Sequence, residues 1–162
     1  MEEIVKTNKP YTYTILKNDL AFLKYIYPSL EINSIGNSTL EENIRYIKLG
    51  EGSNKIMFNA SHHANEWSTS LVIMLFVEKF MNLYSKGEIY KGYDVREIWR
   101  KTSIYIVPMV NPDGVNLSIG EFKELNDERY RHIWEPYKDE LDKWKANIRG
   151  VDLNLNYPAR MG

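Results

Sequence analysis

Residues 54–77 read NKIMFNASHHANEWSTSLVIMLFV, and this stretch sets the expected architecture of the chain. Its first part, NKIMFNA, is short and apolar, which predicts a buried β-strand. Its last part, LVIMLFV, is apolar almost all round, which predicts a helix over residues 68–84 that packs against a sheet. A buried strand followed directly by a buried helix is typical of α/β proteins.

Three further segments have the pattern of β-strands. ENIRYIKLGEG, residues 42–52, ends in glycines, and SIYIVPMV, residues 103–110, is short and apolar. NPDG follows at residues 111–114, and its proline and glycine predict a turn. The segment RGVDLNLNYPARMG, which starts at Arg149, is also strand-like.

Helical patterns occupy the segments between these strands. In the tyrosine-rich start, apolar and polar residues alternate over residues 11–15. A stripe of apolar residues with helical spacing follows and ends at Pro28. YDVREIWRKT predicts a short helix. The charged segment over residues 121–147 has an apolar stripe, and Pro136 divides it into two predicted helices. We therefore expect one α/β domain over residues 1–162, with a partly parallel sheet.

The composition limits the classes of function. The chain has 162 residues, with 21 Lys and Arg against 22 Asp and Glu, and a formal net charge of −1. This balance argues against a nucleic-acid partner and against binding to an anionic membrane. The chain has no cysteine, so disulfides, thiolate metal sites and cysteine nucleophiles are excluded. Any metal therefore has to be held by His, Asp or Glu.

The sequence also bears on location. No apolar run approaches the roughly 20 residues that span a bilayer. The N-terminal stretch MEEIVKTNKP is charged and lacks the apolar centre of a secretory signal. We therefore expect a cytoplasmic protein with no membrane partner.

The turn after the predicted strand 54–60 holds two of the three histidines of the chain. His63 and Glu66 are spaced i, i+3, which brings both side chains to one side of a turn that enters a helix. Imidazole nitrogens and carboxylate oxygens are suitable zinc ligands. The carboxyl end of a strand is also where α/β proteins usually place their sites. One interpretation is therefore a zinc site, although a catalytic zinc normally has three protein ligands.

A second interpretation of the same turn is structural. Ser61 or Asn65 would cap the helix, and the Glu66 carboxylate would interact favourably with the partial positive charge at the start of the helix. The histidines would then be polar loop residues. Neighbouring side chains in an extended loop point in opposite directions. If His63 points inward, we therefore expect His62 to face solvent.

Three motifs occur in the order of a known family. HHANEW, VPMVNPDGVN and WKANIRGVDLNLNYPA, together with the tyrosine-rich start, resemble the zinc carboxypeptidases, the carboxypeptidase A-like metallopeptidases. The resemblance extends in particular to the bacterial branch of γ-D-glutamyl-diamino acid peptidases, which trim cell-wall peptides. It implies the N-terminal part of a carboxypeptidase-like mixed sheet with helices on both faces. It also implies Zn as the cofactor and a peptide substrate, with peptidoglycan stem peptides as one candidate.

The resemblance assigns roles to particular residues. His63 and Glu66 match the first two zinc ligands, and Asp152 matches the carboxylate that hydrogen-bonds the first zinc-binding histidine. Asn154 matches an asparagine that helps to bind the terminal carboxylate of the substrate. Lys145 stands where relatives have the arginine that stabilises the oxyanion, and a lysine still supplies charge there. Apart from the resemblance, Asp152 and Asn154 also suit a turn, and Lys145 also suits a solvated helix face.

Two features depart from the family pattern. Leu155 stands where many relatives have an arginine that clamps the C-terminal carboxylate of the substrate, and leucine can neither donate a hydrogen bond nor carry charge. The third zinc ligand of the family and its catalytic glutamate lie further downstream, whereas this sequence ends at Gly162. We therefore expect residues 1–162 to be incomplete and inactive alone, with a sheet edge exposed to self-association. The alternatives are a non-catalytic peptide- or cell-wall-binding remnant, or a subunit that a second chain completes.

Overall fold

Helices and strands alternate along most of the chain. The computed structural model describes residues 3–121 and 128–158. In chain order its elements are α1 (Tyr13–Ile26), β1 (Glu31–Asn37), β2 (Asn43–Leu49), β3 (Asn54–Asn59), α2 (Trp67–Lys86), β4 (Ile89–Tyr90), β5 (Tyr93–Asp94), α3 (Val95–Lys101), β6 (Thr102–Val107), α4 (Pro112–Ile119), α5 (Arg131–Trp134) and two 3₁₀ helices (Glu135–Lys143 and Leu153–Leu155).

Four of the strands form a mixed sheet in the order β1-β2-β6-β3. The pairs β1–β2 and β2–β6 are antiparallel, and β3 pairs with β6 in parallel. In β6, Ile104 and Ile106 face one side of the sheet and Ser103 and Val107 face the other, and all four are buried. A strand buried in this way has cover on both faces. The predicted mixed sheet with helices on both faces is therefore confirmed.

The helix predicted over residues 68–84 is confirmed as α2, with one residue more at its start and two at its end. Met74, Val77 and Met81 are its fully buried apolar side chains, spaced for one face. The helix ends at Gly87, whose φ of 67° is left-handed and whose amide donates to the carbonyl oxygens of two residues of the last turn.

Two apolar clusters stabilise the described part of the chain. The larger one joins α1, α2, α3 and the inner strands of the sheet, and its fully buried members include Leu16, Leu23, Ile47, Met74, Met81 and Ile106. Fully burying each such side chain contributes about 1.5–3 kcal/mol. The smaller cluster contains Leu117, Trp134, Leu141 and Ile148, and it fixes the segment after α4 against that helix. This second cluster determines where the chain lies as it approaches Asp152.

Two stretches near the start of the chain differ from what the sequence pattern indicates. The alternation of residues 11–15 lies partly within α1, because the Thr12 hydroxyl accepts a hydrogen bond from Ile15 N and starts the helix at Tyr13. β1 was not predicted. Its sequence EINSIGN is mostly polar and its residues are almost all exposed, since it is the outer strand of a hairpin.

Two further predictions are corrected near the carboxyl end. NPDG does not form an isolated turn but begins α4, where Asn111 accepts a hydrogen bond from Gly114 N and Pro112 occupies the first helical position. The strand-like VDLNL is a 3₁₀ turn, because Asp152 accepts a hydrogen bond from Asn154 N. The division at Pro136 is confirmed, although the second helix is 3₁₀ and residues 122–127 lie outside the described part.

None of the helices in the described part of the chain has the length and apolarity needed to cross a membrane.

Candidate metal site

The two histidines lie on the loop that joins β3 to α2, at one edge of the sheet. β3 and β6 are parallel, so the loops that follow them leave the sheet at the same edge. The backbone confirms this proximity: Ala60 N donates to Val107 O at 3.0 Å, and Val110 N donates to Ala60 O at 3.0 Å. The histidine loop and the loop that leads into α4 therefore run side by side.

Ser61 fixes the start of the histidine loop. It is a buried non-glycine residue with a φ of 51°, a left-handed conformation that few side chains adopt without support. Its hydroxyl lies 2.6 Å from the Ser70 hydroxyl and donates to Glu66 O at 3.0 Å. The side chain that was expected to cap α2 therefore folds the loop back on the first turn of the helix. Glu66 is the N-cap of α2 and makes no side-chain capping bond.

Asn111 joins the histidine loop to the segment that contains Lys145. Its Nδ2 donates to His62 O at 3.2 Å and to Ala146 O at 3.1 Å. The amide of Ala64 also donates to Lys145 O at 3.0 Å. Three motifs that are distant in the sequence thus meet through the amide group of one side chain. The sequence predicted only a turn at NPDG, because the role of Asn111 depends on partners that the fold brings together.

The two ring nitrogens of His63 face two carboxylates. Nδ1 lies 3.0 Å from Glu66 Oε1, and Nε2 lies 3.4 Å from Asp152 Oδ1. The His63 and Asp152 side chains are 20% and 32% exposed, so the ring is largely enclosed but reachable from solvent. The three residues that were predicted to act together, at positions 63, 66 and 152, are therefore adjacent.

This arrangement suits a cation. A neutral imidazole has one N–H, and a hydrogen bond from Nε2–H to Asp152 leaves a lone pair on Nδ1. With the proton on Nε2, that lone pair and the Glu66 carboxylate oxygen, 3.0 Å apart, would both be free to bind a cation, whereas with the proton on Nδ1 the same contact is a hydrogen bond to Glu66. An imidazole nitrogen with a carboxylate oxygen is a donor set that zinc accepts. The residues therefore fit the metal that the sequence predicts.

Within residues 3–121 and 128–158, no third donor joins His63 and Glu66, and no group of three or more His, Cys, Asp or Glu side chains is arranged to hold a metal ion. His132 is exposed on α5 and does not contribute.

His62 does not simply face solvent, as the sequence suggested. Its ring is half-buried, and its Nε2 lies 2.6 Å from the hydroxyl of Tyr157. The two ring centroids are 5.6 Å apart. Burial lowers the pKa of His62 below its usual value, and the neighbouring His63 adds to this effect. Nothing in the sequence pattern signals this contact, because the partners are 95 residues apart.

A cavity of about 570 Å³ opens beside Asp152. Its wall includes the aromatic pair Tyr137 and Trp144, whose ring centroids are 5.8 Å apart, and the exposed Lys145. Asn154 is exposed and does not line this cavity, and Leu155 is 79% exposed. The structure therefore brings Lys145 to the same space as Asp152, whereas Asn154 lies just outside it.

The comparisons with known proteins agree with this geometry. The family model "Zinc carboxypeptidase" matches residues 17–162. Gamma-D-glutamyl-L-diamino acid endopeptidase 1 of Lysinibacillus sphaericus is 37% identical over 97% of this chain and 40% of its own length. The uncharacterised protein YqgT of Bacillus subtilis is 32% identical over 96% of this chain and 42% of its own. The chain thus spans about two fifths of the length of these curated relatives.

Solved structures show the same fold. Thrombin-activatable fibrinolysis inhibitor superposes with a TM-score of 0.65 at 16% identity, over 90% of this chain and 32% of its own. A carboxypeptidase A-like protein of Shewanella denitrificans superposes with a TM-score of 0.60 at 16% identity, over 90% of this chain and 31% of its own. The match of the family model over most of the sequence is decisive, and the chain belongs to the zinc carboxypeptidase family.

Proposed function

We propose that this chain supplies part of the active site of a zinc-dependent peptide hydrolase. His63 and Glu66 would be two ligands of the metal, and Asp152 would hold the His63 ring through Nε2. The observation that supports this most is the pair of distances at His63: 3.0 Å from Nδ1 to Glu66 and 3.4 Å from Nε2 to Asp152. A carboxylate behind a metal-binding histidine fixes its tautomer and increases its basicity.

The other residues of the site have distinct roles in this proposal. A zinc ion held here would polarise the peptide carbonyl and lower the pKa of a bound water. The Lys145 ammonium, which lines the cavity together with Asp152, would stabilise negative charge on the carbonyl oxygen of the substrate. Asn154 would contact the substrate beyond the cavity. Tyr137 and Trp144 would exclude water from one wall and contact substrate side chains.

We propose a peptide substrate, specifically peptidoglycan stem peptides. The relative from Lysinibacillus sphaericus is named for cleavage at a γ-D-glutamyl-L-diamino acid bond. Leu155 supports the same choice, because an exposed leucine gives no charged contact to a free C-terminal carboxylate. A substrate whose carboxyl end continues past the cleaved bond does not need that contact.

We propose that residues 1–162 by themselves do not hydrolyse peptides. The described residues offer two donors at the site, and a third protein ligand is normal for catalytic zinc. Water activation also needs a general base, which typically contributes about 10²- to 10⁴-fold to the rate. Chelator-sensitive peptidase activity from residues 1–162 alone would disprove this part of the proposal.

The metal site itself is tested by titrating the chain with zinc or cobalt(II). His63→Ala and Glu66→Ala should each weaken binding strongly, because each removes one of two ligands. His132→Ala is the matched control, since it removes an exposed histidine outside the site. Equal affinities for His63→Ala and His132→Ala would show that the metal does not bind at this site.

We propose in addition that β3 mediates self-association of residues 1–162. β3 is the last strand in the sheet order, so its outer backbone groups have no strand partner within the described part of the chain. The strand is present as predicted, but the prediction that it is buried is wrong: Ile56, Met57 and Phe58 are 44%, 63% and 44% exposed. Beside them, Val72 and Phe76 of α2 line a cavity of about 400 Å³. An open apolar edge strand readily pairs with another strand, here from a second copy of the chain.

Sedimentation over a range of concentrations tests this association. Met57→Lys places a charge on the edge strand and should shift residues 1–162 toward monomer. Phe22→Lys, on α1, changes another exposed side chain and should leave the association unchanged. If Met57→Lys associates as strongly as the wild type, the proposal that β3 mediates association is wrong.

A further inference from the structure

The two adjacent histidines contact the two ends of one short segment. His63 Nε2 lies 3.4 Å from Asp152 Oδ1, and His62 Nε2 lies 2.6 Å from the Tyr157 hydroxyl. The residues between Asp152 and Tyr157 include the 3₁₀ turn Leu153–Leu155. The sequence interpretation gave a role only to the first of these contacts.

Packing alone does not hold this segment in place. The 3₁₀ turn has no buried residue, and Leu155, its most apolar exposed side chain, is 79% exposed. Its hydrogen bonds are internal: Asn154 N donates to Asp152 Oδ1 at 3.0 Å, and Asn156 Nδ2 donates to Asp152 O at 2.6 Å. These bonds keep the turn in shape, whereas its start is attached through Val151, which pairs with Asn147 at 2.9 and 3.1 Å, and its other end through Tyr157. A segment with few buried contacts opens easily unless specific contacts hold it.

His62 is itself held firmly enough to serve as an anchor. Asn111 Nδ2 donates to the carbonyl oxygen of His62 at 3.2 Å, and the next residue but one, Ala64, donates its amide to Lys145 O at 3.0 Å. The backbone on which the His62 ring stands is therefore bonded to two other parts of the site. The ring reaches from this backbone to Tyr157, with the two ring planes tilted by 56°.

We propose that His62 and Tyr157 are positioning residues: their contact holds the segment 152–157 so that Asp152 stays against the His63 ring. This inference rests on the proposed metal site, because positioning of Asp152 matters for function only if His63 binds metal. His62 is not a ligand in this scheme. It acts through Tyr157 and the turn on the carboxylate that orients the true ligand.

The experiment uses the full chain, four single variants and the double variant that combines Tyr157→Phe with His62→Leu. Tyr157→Phe removes the hydroxyl and keeps the ring, and His62→Leu removes the ring nitrogens. His62→Gln retains a hydrogen-bonding group at a similar distance from the backbone and is the rescue variant. Tyr25→Phe is the matched control, because Tyr25 is 84% exposed on α1, outside the site.

The first measurement is made on the metal-free protein. The ¹⁵N signals of the His63 ring report which nitrogen holds the hydrogen, and in the wild type they record how the ring is shared between Glu66, 3.0 Å from Nδ1, and Asp152, 3.4 Å from Nε2. Tyr157→Phe and His62→Leu should shift these signals toward the form with hydrogen on Nδ1, because Asp152 moves away from the ring, whereas His62→Gln and Tyr25→Phe should match the wild type. Unchanged His63 signals in Tyr157→Phe and His62→Leu would overturn the proposal.

The second measurement is the affinity for cobalt(II) or zinc. Tyr157→Phe and His62→Leu should each weaken binding by about three- to tenfold, the effect of losing one hydrogen bond. The double variant should be no weaker than either single variant, because both remove the same contact. Losses that multiply in the double variant would show that the two residues act independently, which contradicts the proposal.

The two measurements separate this inference from the proposed function. A wild-type chain that binds neither metal disproves the metal site. The His63 ring signals of the metal-free variants then still decide whether His62 and Tyr157 position Asp152.

Discussion

The hydroxyl of Tyr11 donates a hydrogen bond to Asp19 Oδ2 at 2.7 Å inside the core between the N-terminal segment and α1. Tyr11 is fully buried and Asp19 is 8% exposed, so this bond replaces the water that the carboxylate loses on folding. Glu78 on α2 lies near the same pair and accepts hydrogen bonds from Ile4 N and Val5 N. The N-terminal segment is thus attached to both helices through polar contacts.

Tyr11→Phe should destabilise the fold. The change keeps the ring but leaves the buried Asp19 carboxylate without its donor, which costs about 1–3 kcal/mol. Urea denaturation of the variant and the wild type at neutral pH measures the difference. Tyr25→Phe is the control, because its hydroxyl is on an exposed ring, and it should change the free energy of unfolding by less than about 0.5 kcal/mol. Equal losses in the two variants would contradict the role of the buried bond.

Asp19 should also give the stability a distinctive dependence on pH. Burial raises its pKa above the ordinary value of 3.8, although the bond from Tyr11 opposes this effect. In the window between the ordinary and the raised pKa, the folded protein binds more protons than the unfolded chain. The contribution of Asp19 is therefore full below pH 3.8 and is lost as the pH rises through the folded pKa.

Asp19→Asn isolates this contribution from that of the other acidic groups. The stability of the wild type relative to Asp19→Asn should fall as the pH rises through that window and stay constant above it. Urea denaturation at a series of pH values from about 3 upward provides the comparison. A difference between the two proteins that rises with pH would show that the folded state favours the charged form of Asp19.

Leu23→Ala should create a cavity in the larger apolar cluster. Leu23 is fully buried on α1, and such a truncation costs about 2–5 kcal/mol because the surrounding side chains relax only in part. Phe22→Ala is the matched control in the neighbouring position, where the ring is 61% exposed. Thermal and urea unfolding should separate the two variants clearly, and a larger loss for Phe22→Ala would contradict the packing described for α1.

Gly114→Ala should disturb the junction made by Asn111. A Cβ at this position would lie 2.5 Å from Asn111 Nδ2 and 2.7 Å from Ala146 O. One of these groups has to move, which costs about 1–3 kcal/mol and weakens the bonds that align the histidine loop with the Lys145 segment. Metal affinity should fall together with stability. Ser118→Ala, in the same helix, adds no atom and should retain both properties.

The sequence predicts most of the elements that have a strong apolar signal. The segment LVIMLFV becomes the buried part of α2, and SIYIV becomes β6 at the centre of the sheet. Both are determined by burial, which leaves a periodic or continuous apolar pattern in the sequence. The exposed β1 has no such apolar pattern in its sequence, because its stability comes from backbone pairing with β2 rather than from its own side chains.

Local side-chain bonds explain the other errors. Asn and Pro before a helix resemble the residues of a turn, so NPDG could not be distinguished from the start of α4. In the same way the alternation of VDLNL suggested a strand, but the Asp152 carboxylate bonds the backbone of its own turn. Of the candidate site, His63, Glu66 and Asp152 were predicted together, whereas the contact of His62 with Tyr157 depends on tertiary structure alone.

The parallel pairing of β3 with β6 has a consequence for how the chain acquires its structure. Asn54 of β3 pairs with Thr102 of β6. This pairing can form only after α2, α3 and β6 have been synthesised. During synthesis the hairpin of β1 and β2 can form early, while the apolar residues of β3 emerge long before β6. Such non-local pairing is slow, and it exposes an unpaired strand meanwhile. We therefore expect the nascent chain to pass through a stage in which chaperones can bind the apolar residues of β3.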